Sequence, residues 1–145
     1  MAEKLRVGVI GAGRWSGIAH LPGFKGSPLC ELVMICDVDK ELAESRAEEF
    51  EIPEVTTDYE KLLSREDIDV VDIVTSGGDT HQVLTFAALE ANKHVLVEKP
   101  VCHDYRDVLR AHEIAKSKNL KTKVGLTFRY APAVQYMFEL VLEGY

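Results

Sequence analysis

The chain has 145 residues, 46% of them hydrophobic and 28% charged, the balance expected of a single globular domain. Its formal net charge of −7 argues against a nucleic-acid partner, since phosphate affinity comes mainly from clustered Lys and Arg. One bound nucleotide, held by backbone N–H groups, stays open.

No apolar run approaches the roughly 20 residues that span a bilayer, and the opening MAEKLRVGVI is too soon interrupted by Gly11 to be a secretory leader. A cytoplasmic protein with no membrane contact is expected. Cys30, Cys36 and Cys102 are odd in number, with no CxxC pair and no His at metal spacing, so reduced thiols and no metal site are expected.

Leu5–Ile10 reads as a buried strand, followed by the loop GAGRWS and a helix over 16–24 closed by Gly26, Ser27 and Pro28. ELVMICD (31–37) is a second strand that ends on an acid. Asp39 then N-caps a helix in which Leu42, Arg46 and Phe50 recur at helical spacing. EVTT is a short strand, and Asp58 caps a brief helix holding Leu62 and Leu63.

DVVDIVT (69–75) is the next strand and SGGD the turn after it. Asp79 or Thr80 starts a helix to Ala91 with Val83, Leu84, Ala87, Ala88 and Ala91 on its apolar face. Asn92 stands where a left-handed C-cap is wanted. KHVLVEK is a strand stopped by Pro100, and Asp104 caps a helix to Lys118 with Val108, Leu109, His112 and Ala115 on one stripe. KTKVGLTF is the last strand, and a final helix follows with Pro132 in its first turn.

Strict alternation of strand and helix implies an α/β fold: a doubly wound, mainly parallel sheet with helices on both faces. Ligands then bind beyond the carboxyl ends of the strands. The residues found there are Gly11–Ser16, Asp37, Thr75–His81, Glu98–Pro100 and Thr127–Tyr130.

In GAGRWS, Gly11 permits a tight turn, Gly13 lets a pyrophosphate approach the backbone, and Ser16 is the small residue for close helix–strand packing. A lone GxG is also ordinary turn punctuation. The preceding strand, the following helix and Asp37 at the end of the next strand favour a nucleotide site, with Asp37 accepting from ribose hydroxyls. Glu98 and Lys99 have two readings. One is an ion pair at a sheet edge; the other is a lysine over the cofactor, its pKa lowered by burial, exchanging a proton with a substrate oxygen. An unusual backbone is expected at Pro100, a cis bond included.

The GxGxxS loop with His20 after it, Asp37, His81 and above all ALEANKHVLVEKP (88–100) resemble the Gfo/Idh/MocA oxidoreductase family. The resemblance implies a Rossmann domain and NAD(P)-dependent hydride transfer at a carbinol or carbonyl carbon of a sugar, inositol or related polyol. It implies that Lys99 is the catalytic-site lysine, Glu98 the residue positioning it, and Asp37 the adenosine-ribose ligand. Thr75, Ser76 and His81 would lie along the pyrophosphate and nicotinamide-ribose side, and Arg129 in FRYAP matches the family's arginine after the sixth strand.

The loop residues Arg14 and Trp15 complete the cofactor-binding set with Gly11, Gly13, Ser16, Glu98 and Lys99. NAD is expected over NADP because Asp37 repels a 2′-phosphate, although Arg14 and Lys40 lie near enough to meet one. The chain departs from the pattern at Ser16, at Asn92, and at TSGGDTH, which lacks the usual proline and reaches its histidine one residue later.

His20, His94, His103 and His112 read as packing or surface residues. Two rivals stand beside the enzyme reading. A dinucleotide-binding sensor would not need the lysine, and a methyltransferase would have no reason to carry HVLVEKP. The expected organisation is a nucleotide-binding domain over residues 1–128. Residues 129–145 would begin a connecting helix toward a substrate domain outside this chain, and a homo-oligomer is expected for the full-length protein.

Overall fold

A computed structural model describes residues 3–145. Its strands are β1 (Leu5–Ile10), β2 (Cys30–Cys36), β3 (Glu54–Thr56), β4 (Val70–Ile73), β5 (His94–Val97) and β6 (Thr122–Val124). They form one all-parallel sheet in the order β3-β2-β1-β4-β5-β6. Direction of travel across the sheet reverses between β1 and β4, and the crevice at such a switch is where nucleotides bind.

The register makes the upper edge of the sheet level. Ile10 pairs with Cys36 on one side and Ile73 on the other, Cys36 with Thr56, Ile73 with Val97, and Val97 with Val124. The next residue along each strand therefore stands on a common lip: Gly11, Asp37, Val74, Glu98 and Gly125.

The helical elements are α1 (Leu21–Gly26), α2 (Lys40–Phe50), α3 (Tyr59–Leu63), α4 (Gly78–Glu90), α5 (Tyr105–Ser117) and α6 (Pro132–Leu142). Strand side chains alternate between the faces, as a pleated strand requires. Val7, Val9 and Ile35 pack with Leu21 of α1 and with Ala43 and Ala47 of α2. On the other face Val71, Ile73, Val95 and Val97 pack with Leu62 of α3, Leu84 and Ala88 of α4, and Ala111 and Ala115 of α5. The doubly wound sheet expected from the alternation is present, with a core on each face.

Caps fall where the sequence places them. Asp39 accepts from the Leu42 N–H at 3.1 Å, Asp58 from Glu60 at 2.9 Å, and Asp104 from Arg106 at 2.9 Å. Asn92 adopts a left-handed backbone, φ 60°.

The helix after the glycine loop differs from expectation. It runs from Arg14, and its Ser16–His20 turn is a π-helix in which the Leu21 N–H reaches the Ser16 carbonyl. Two strands are shorter than read: 69–75 contracts to Val70–Ile73, and KTKVGLTF to Thr122–Val124, with a 3-10 turn at Thr127–Tyr130.

The expected stripe on α5 is also offset. Ala111 and Ala115 are buried while Val108, Leu109 and His112 are exposed, because the small residues allow α5 to lie close to the sheet. Val83 likewise faces out of α4, where Leu84, Ala88 and Leu89 are buried. Cys36 is in the core, and burial pushes its thiol up to about 11.

A buried cation ties down the lower edge of the sheet. Lys93 donates to the Ile68 carbonyl at 2.9 Å and to that of Arg65. Desolvation holds its amine below the ordinary lysine value. Lys93→Met keeps the stem and leaves both carbonyls without this donor. Stability should fall by about 2 kcal/mol, measured by urea unfolding, and cofactor affinity in the folded protein should be unchanged.

Candidate functional site

The glycine loop joins β1 to the first helix at the switch point. Gly11 has φ +115°, and a Cβ there would stand 2.7 Å from the Val74 carbonyl carbon and oxygen. The backbones after β1 and β4 thus touch, and only glycine permits both the contact and the conformation. Gly13 is different, since a Cβ there would meet nothing within 4 Å. Among the described residues no neighbour demands glycine at that position, whereas a pyrophosphate lying against the backbone would.

The first N–H groups of any helix lack intrahelical partners, and among the described residues no side chain caps this one at Trp15, as suits an anion site. Ser16 is fully buried, consistent with a packing role, and its hydroxyl has no hydrogen-bond partner among the described residues. Gly17, passed over in the sequence, is tighter still: a Cβ there would lie 2.5 Å from the Arg46 guanidinium carbon. Arg46 also donates to the Ala12 carbonyl at 3.3 Å, so α2 supports the loop from behind. The helical spacing of Arg46 was visible, but its reach to the loop was not.

Asp37 turns both carboxylate oxygens to backbone donors, the Ala12 N–H at 2.7 Å and the Asp39 N–H at 2.9 Å. It is half-buried beside the loop, and each oxygen keeps lone-pair capacity for a further donor such as a ribose hydroxyl. Arg14 and Trp15 are exposed on the loop's outer side.

Across the switch point, Thr75 is half-buried and Ser76 exposed. The Thr75 and Thr80 hydroxyls are 2.8 Å apart, and Thr80 donates to the Gly77 carbonyl at 2.9 Å. Within TSGGDTH, Gly77 has φ 99° and N-caps α4. His81 is only 2% exposed, with its ring nitrogens 2.9 Å from the Thr75 carbonyl and 2.8 Å from that of Pro100. Its ring is turned inward, where it braces two loops of the lip against each other.

The Lys99–Pro100 bond is cis, as the sequence led us to expect. Glu98 and Lys99 do not form the sheet-edge ion pair. Glu98 is 6% exposed and its partner is His20, whose Nε2 lies 3.3 Å from Glu98 Oε1. His20 Nδ1 is 3.0 Å from both oxygens of Asp72, which is fully buried in β4. Burial opposes a charge on His20, but Asp72 and then Glu98 outweigh it and raise its pKa.

Reading His20 as a packing or surface residue is therefore corrected. The signal was Asp72 itself, an acid in the middle of an apolar strand, which needs a buried partner. Lys99 is exposed and makes no ion pair among the described residues, so the burial proposed to tune it is not supplied by them. Arg129 is also exposed, in the 3-10 turn beyond β6.

Known proteins are similar to this chain in sequence and fold. A family model described as an oxidoreductase family with an NAD-binding Rossmann fold (GFO_IDH_MocA) matches residues 5–126. Levoglucosan dehydrogenase of Pseudarthrobacter phenanthrenivorans is 31% identical over 150 residues, covering 98% of this chain and 38% of its own length. The dTDP-3,4-didehydro-2,6-dideoxy-alpha-D-glucose 3-reductase of Saccharopolyspora spinosa is 34% identical, covering 99% and 43%. Among solved structures, KijD10, a 3-ketoreductase from Actinomadura kijaniata in complex with NADP and TDP-benzene, matches with a TM-score of 0.89. It is 30% identical over 98% of this chain and 43% of its own.

The chain thus spans less than half the length of these relatives. The open face over Gly13, the uncapped helix start and Asp37 at the end of β2 all suit a dinucleotide. By sequence and fold, the chain belongs to the Gfo/Idh/MocA family of oxidoreductases with an NAD-binding Rossmann fold.

Proposed function

We propose that the protein is an NAD(P)-dependent dehydrogenase or reductase acting on a carbinol or carbonyl carbon of a sugar, inositol or related polyol, with residues 1–145 supplying its cofactor half. The observation that carries this reading is the level lip of the sheet. It sets the glycine loop, Asp37, and the Glu98–Lys99 pair in a row across the switch point. When bound, the nicotinamide gives or accepts the hydride. Gly13 and the first-turn N–H groups hold the pyrophosphate, Asp37 the adenosine ribose on one side of it, and Thr75 and Ser76 border the nicotinamide-ribose side on the other. Lys99, at the far end of the row, gives or takes the proton at the substrate oxygen, and Glu98 fixes the backbone that carries it.

The last helix supports a cofactor half that needs a further surface. None of α6 is buried, and Tyr136, Met137, Phe138, Val141 and Leu142 are 61–73% exposed. Exposed apolar patches of this kind mark interaction sites, here for a substrate domain. Without such a wall Lys99 faces water and near-attack geometry is not enforced. A cytoplasmic homo-oligomer completes the proposal. The acidic balance supports the absence of a nucleic-acid partner, and among the described residues no helix is long and apolar enough to cross a membrane.

Titration of the 145-residue chain with NADH and NADPH, followed by fluorescence, tests the reading. NADH should bind, and more tightly than NADPH, because the Asp37 carboxylate repels a 2′-phosphate. The same protein should show no turnover on a panel of sugars and inositols. Absence of nucleotide binding would remove the cofactor assignment, and robust turnover by this chain alone would remove the division of labour.

A further inference from the structure

We propose that His20 is a positioning residue: held between the Asp72 and Glu98 carboxylates, its ring fixes Glu98 beside Lys99 and keeps a proton in that buried cluster. What the cluster does for Lys99 rests on the oxidoreductase reading above; the cluster itself does not.

Among the described residues the ring nitrogens have two partners, both acidic. Nδ1 lies 3.0 Å from both Asp72 oxygens and Nε2 lies 3.3 Å from Glu98 Oε1. The side chains are 8%, 0% and 8% exposed for His20, Asp72 and Glu98. A neutral imidazole carries one N–H and can donate to only one carboxylate, whereas an imidazolium donates to both. The same proton count is reached if Glu98 is protonated and donates to a neutral Nε2, so the cluster can move one proton between ring and carboxyl without loss of a hydrogen bond. Burial pushes the Asp72 carboxyl up, and its charge, with that of Glu98, raises His20; both shifts retain the proton.

Three elements are shaped around the ring. The π-turn Ser16–His20, of a kind common at functional sites, delivers it to the sheet. Asp72 meets it from the middle of β4. Gly125, next to Glu98 on the lip, admits the carboxylate, since a Cβ there would overlap Glu98 Oε1. The remaining titratable groups nearby are Cys30, Lys123 and Tyr130, which line a cavity of about 410 Å³ beside His20 and Glu98. Lys123 lies over the Tyr130 ring, 5.2 Å from its centroid. Among the described residues neither these nor Lys99 hydrogen-bonds the imidazole. In the oxidoreductase reading, the charge behind the proton-transferring lysine is therefore set by three groups together, with His20 offsetting one of two buried carboxylates.

The 145-residue chain permits a direct test by NMR. In the unaltered chain the His20 15N signals should report a titration midpoint above the ordinary histidine value. Asp72→Asn and Glu98→Gln should each lower that midpoint, the former by about one unit, a tenfold loss of proton affinity. In His20→Gln, which keeps bulk and one donor, the Asp72 13Cγ signal should report proton uptake at a higher pH than in the unaltered chain, because the ring that lowers the Asp72 carboxyl is gone. A histidine that only fills space would leave the Asp72 titration unmoved.

A cluster that holds no shared proton at pH 6.5, with the ring neutral and both carboxylates ionised, or a midpoint indifferent to both carboxylate substitutions, overturns the proposal. If His20→Gln does not fold, the Asp72→Asn titration decides alone. NADH binding measured on the unaltered chain is judged separately, since its absence would sink the oxidoreductase reading while the cluster's titration stands.

Discussion

Gly11→Ala should cost the folded chain about 3 kcal/mol, a fall in melting temperature of about 10 °C, and reduce NADH affinity more than tenfold. Two effects add at this position. The backbone sits at φ +115°, and the new Cβ would press on the Val74 carbonyl group at 2.7 Å. The contact is backbone against backbone, so no rotamer change relieves it. Relief would require the β1 and β4 loops to part, opening the crevice where the cofactor is proposed to lie.

Gly13→Ala provides the contrast. With nothing within 4 Å of the added methyl group, stability should stay within about 0.5 kcal/mol, while NADH affinity still falls at least tenfold. Thermal unfolding and fluorescence titration of the two variants separate a glycine that shapes the loop from one that leaves room for a ligand. Equal NADH affinity in Gly13→Ala and the unaltered chain would show that the pyrophosphate does not lie on this loop.

The two glycines show why much of the site was legible before the structure. Backbone-dictated features leave strong local marks. A GxG loop between a strand and a helix, an acid ending the next strand, Asp before each capped helix and Asn92 in a left-handed C-cap all appear within a few residues of sequence. Parallel topology follows from alternation, and with it the lip on which the candidate residues gather. The level register that aligns Ile10, Cys36, Ile73 and Val97 sharpens this, but the order of elements already implied it.

Side-chain partnerships across the sheet were not legible in the same way. Glu98 and Lys99 are neighbours in sequence, so an ion pair between them was the natural local reading. The fold instead turns Glu98 inward to His20, 78 positions away, and leaves Lys99 exposed. His81 is drawn inward by two carbonyls from separate loops. Arg46 reaches from α2 to the back of the glycine loop, 34 positions distant. Each contact joins elements whose relative placement is a property of the sheet order, which periodicity alone does not give. Helix faces were misread for a related reason: on α5 the alanines, not the larger apolar residues, lie against the sheet, because close approach favours small side chains.

Asp37 combines both kinds of information, and its substitution should have the second large effect. Its carboxylate accepts the Ala12 N–H at 2.7 Å and the Asp39 N–H at 2.9 Å, so it fixes the glycine loop to the start of α2 whether or not a nucleotide is present. Asp37→Ala removes both bonds, and stability should fall by about 2 kcal/mol. The ribose partner goes with them, so NADH affinity should drop at least tenfold. NADPH should lose less, because the repulsion between Asp37 and its 2′-phosphate disappears at the same time, and the preference between the two nucleotides should narrow. Asp37→Asn distinguishes charge from shape. Its amide oxygen can accept one of the two backbone N–H groups, but its NH2 group would face the other donor, so roughly half of the stability loss should remain. Removing the negative charge should nonetheless narrow the nucleotide preference nearly as far as Ala does. Parallel titrations with NADH and NADPH on the three proteins measure this. Unchanged NADH affinity in both variants, or tighter NADPH binding by the unaltered chain, would show that Asp37 serves the loop alone and that the ribose is held elsewhere.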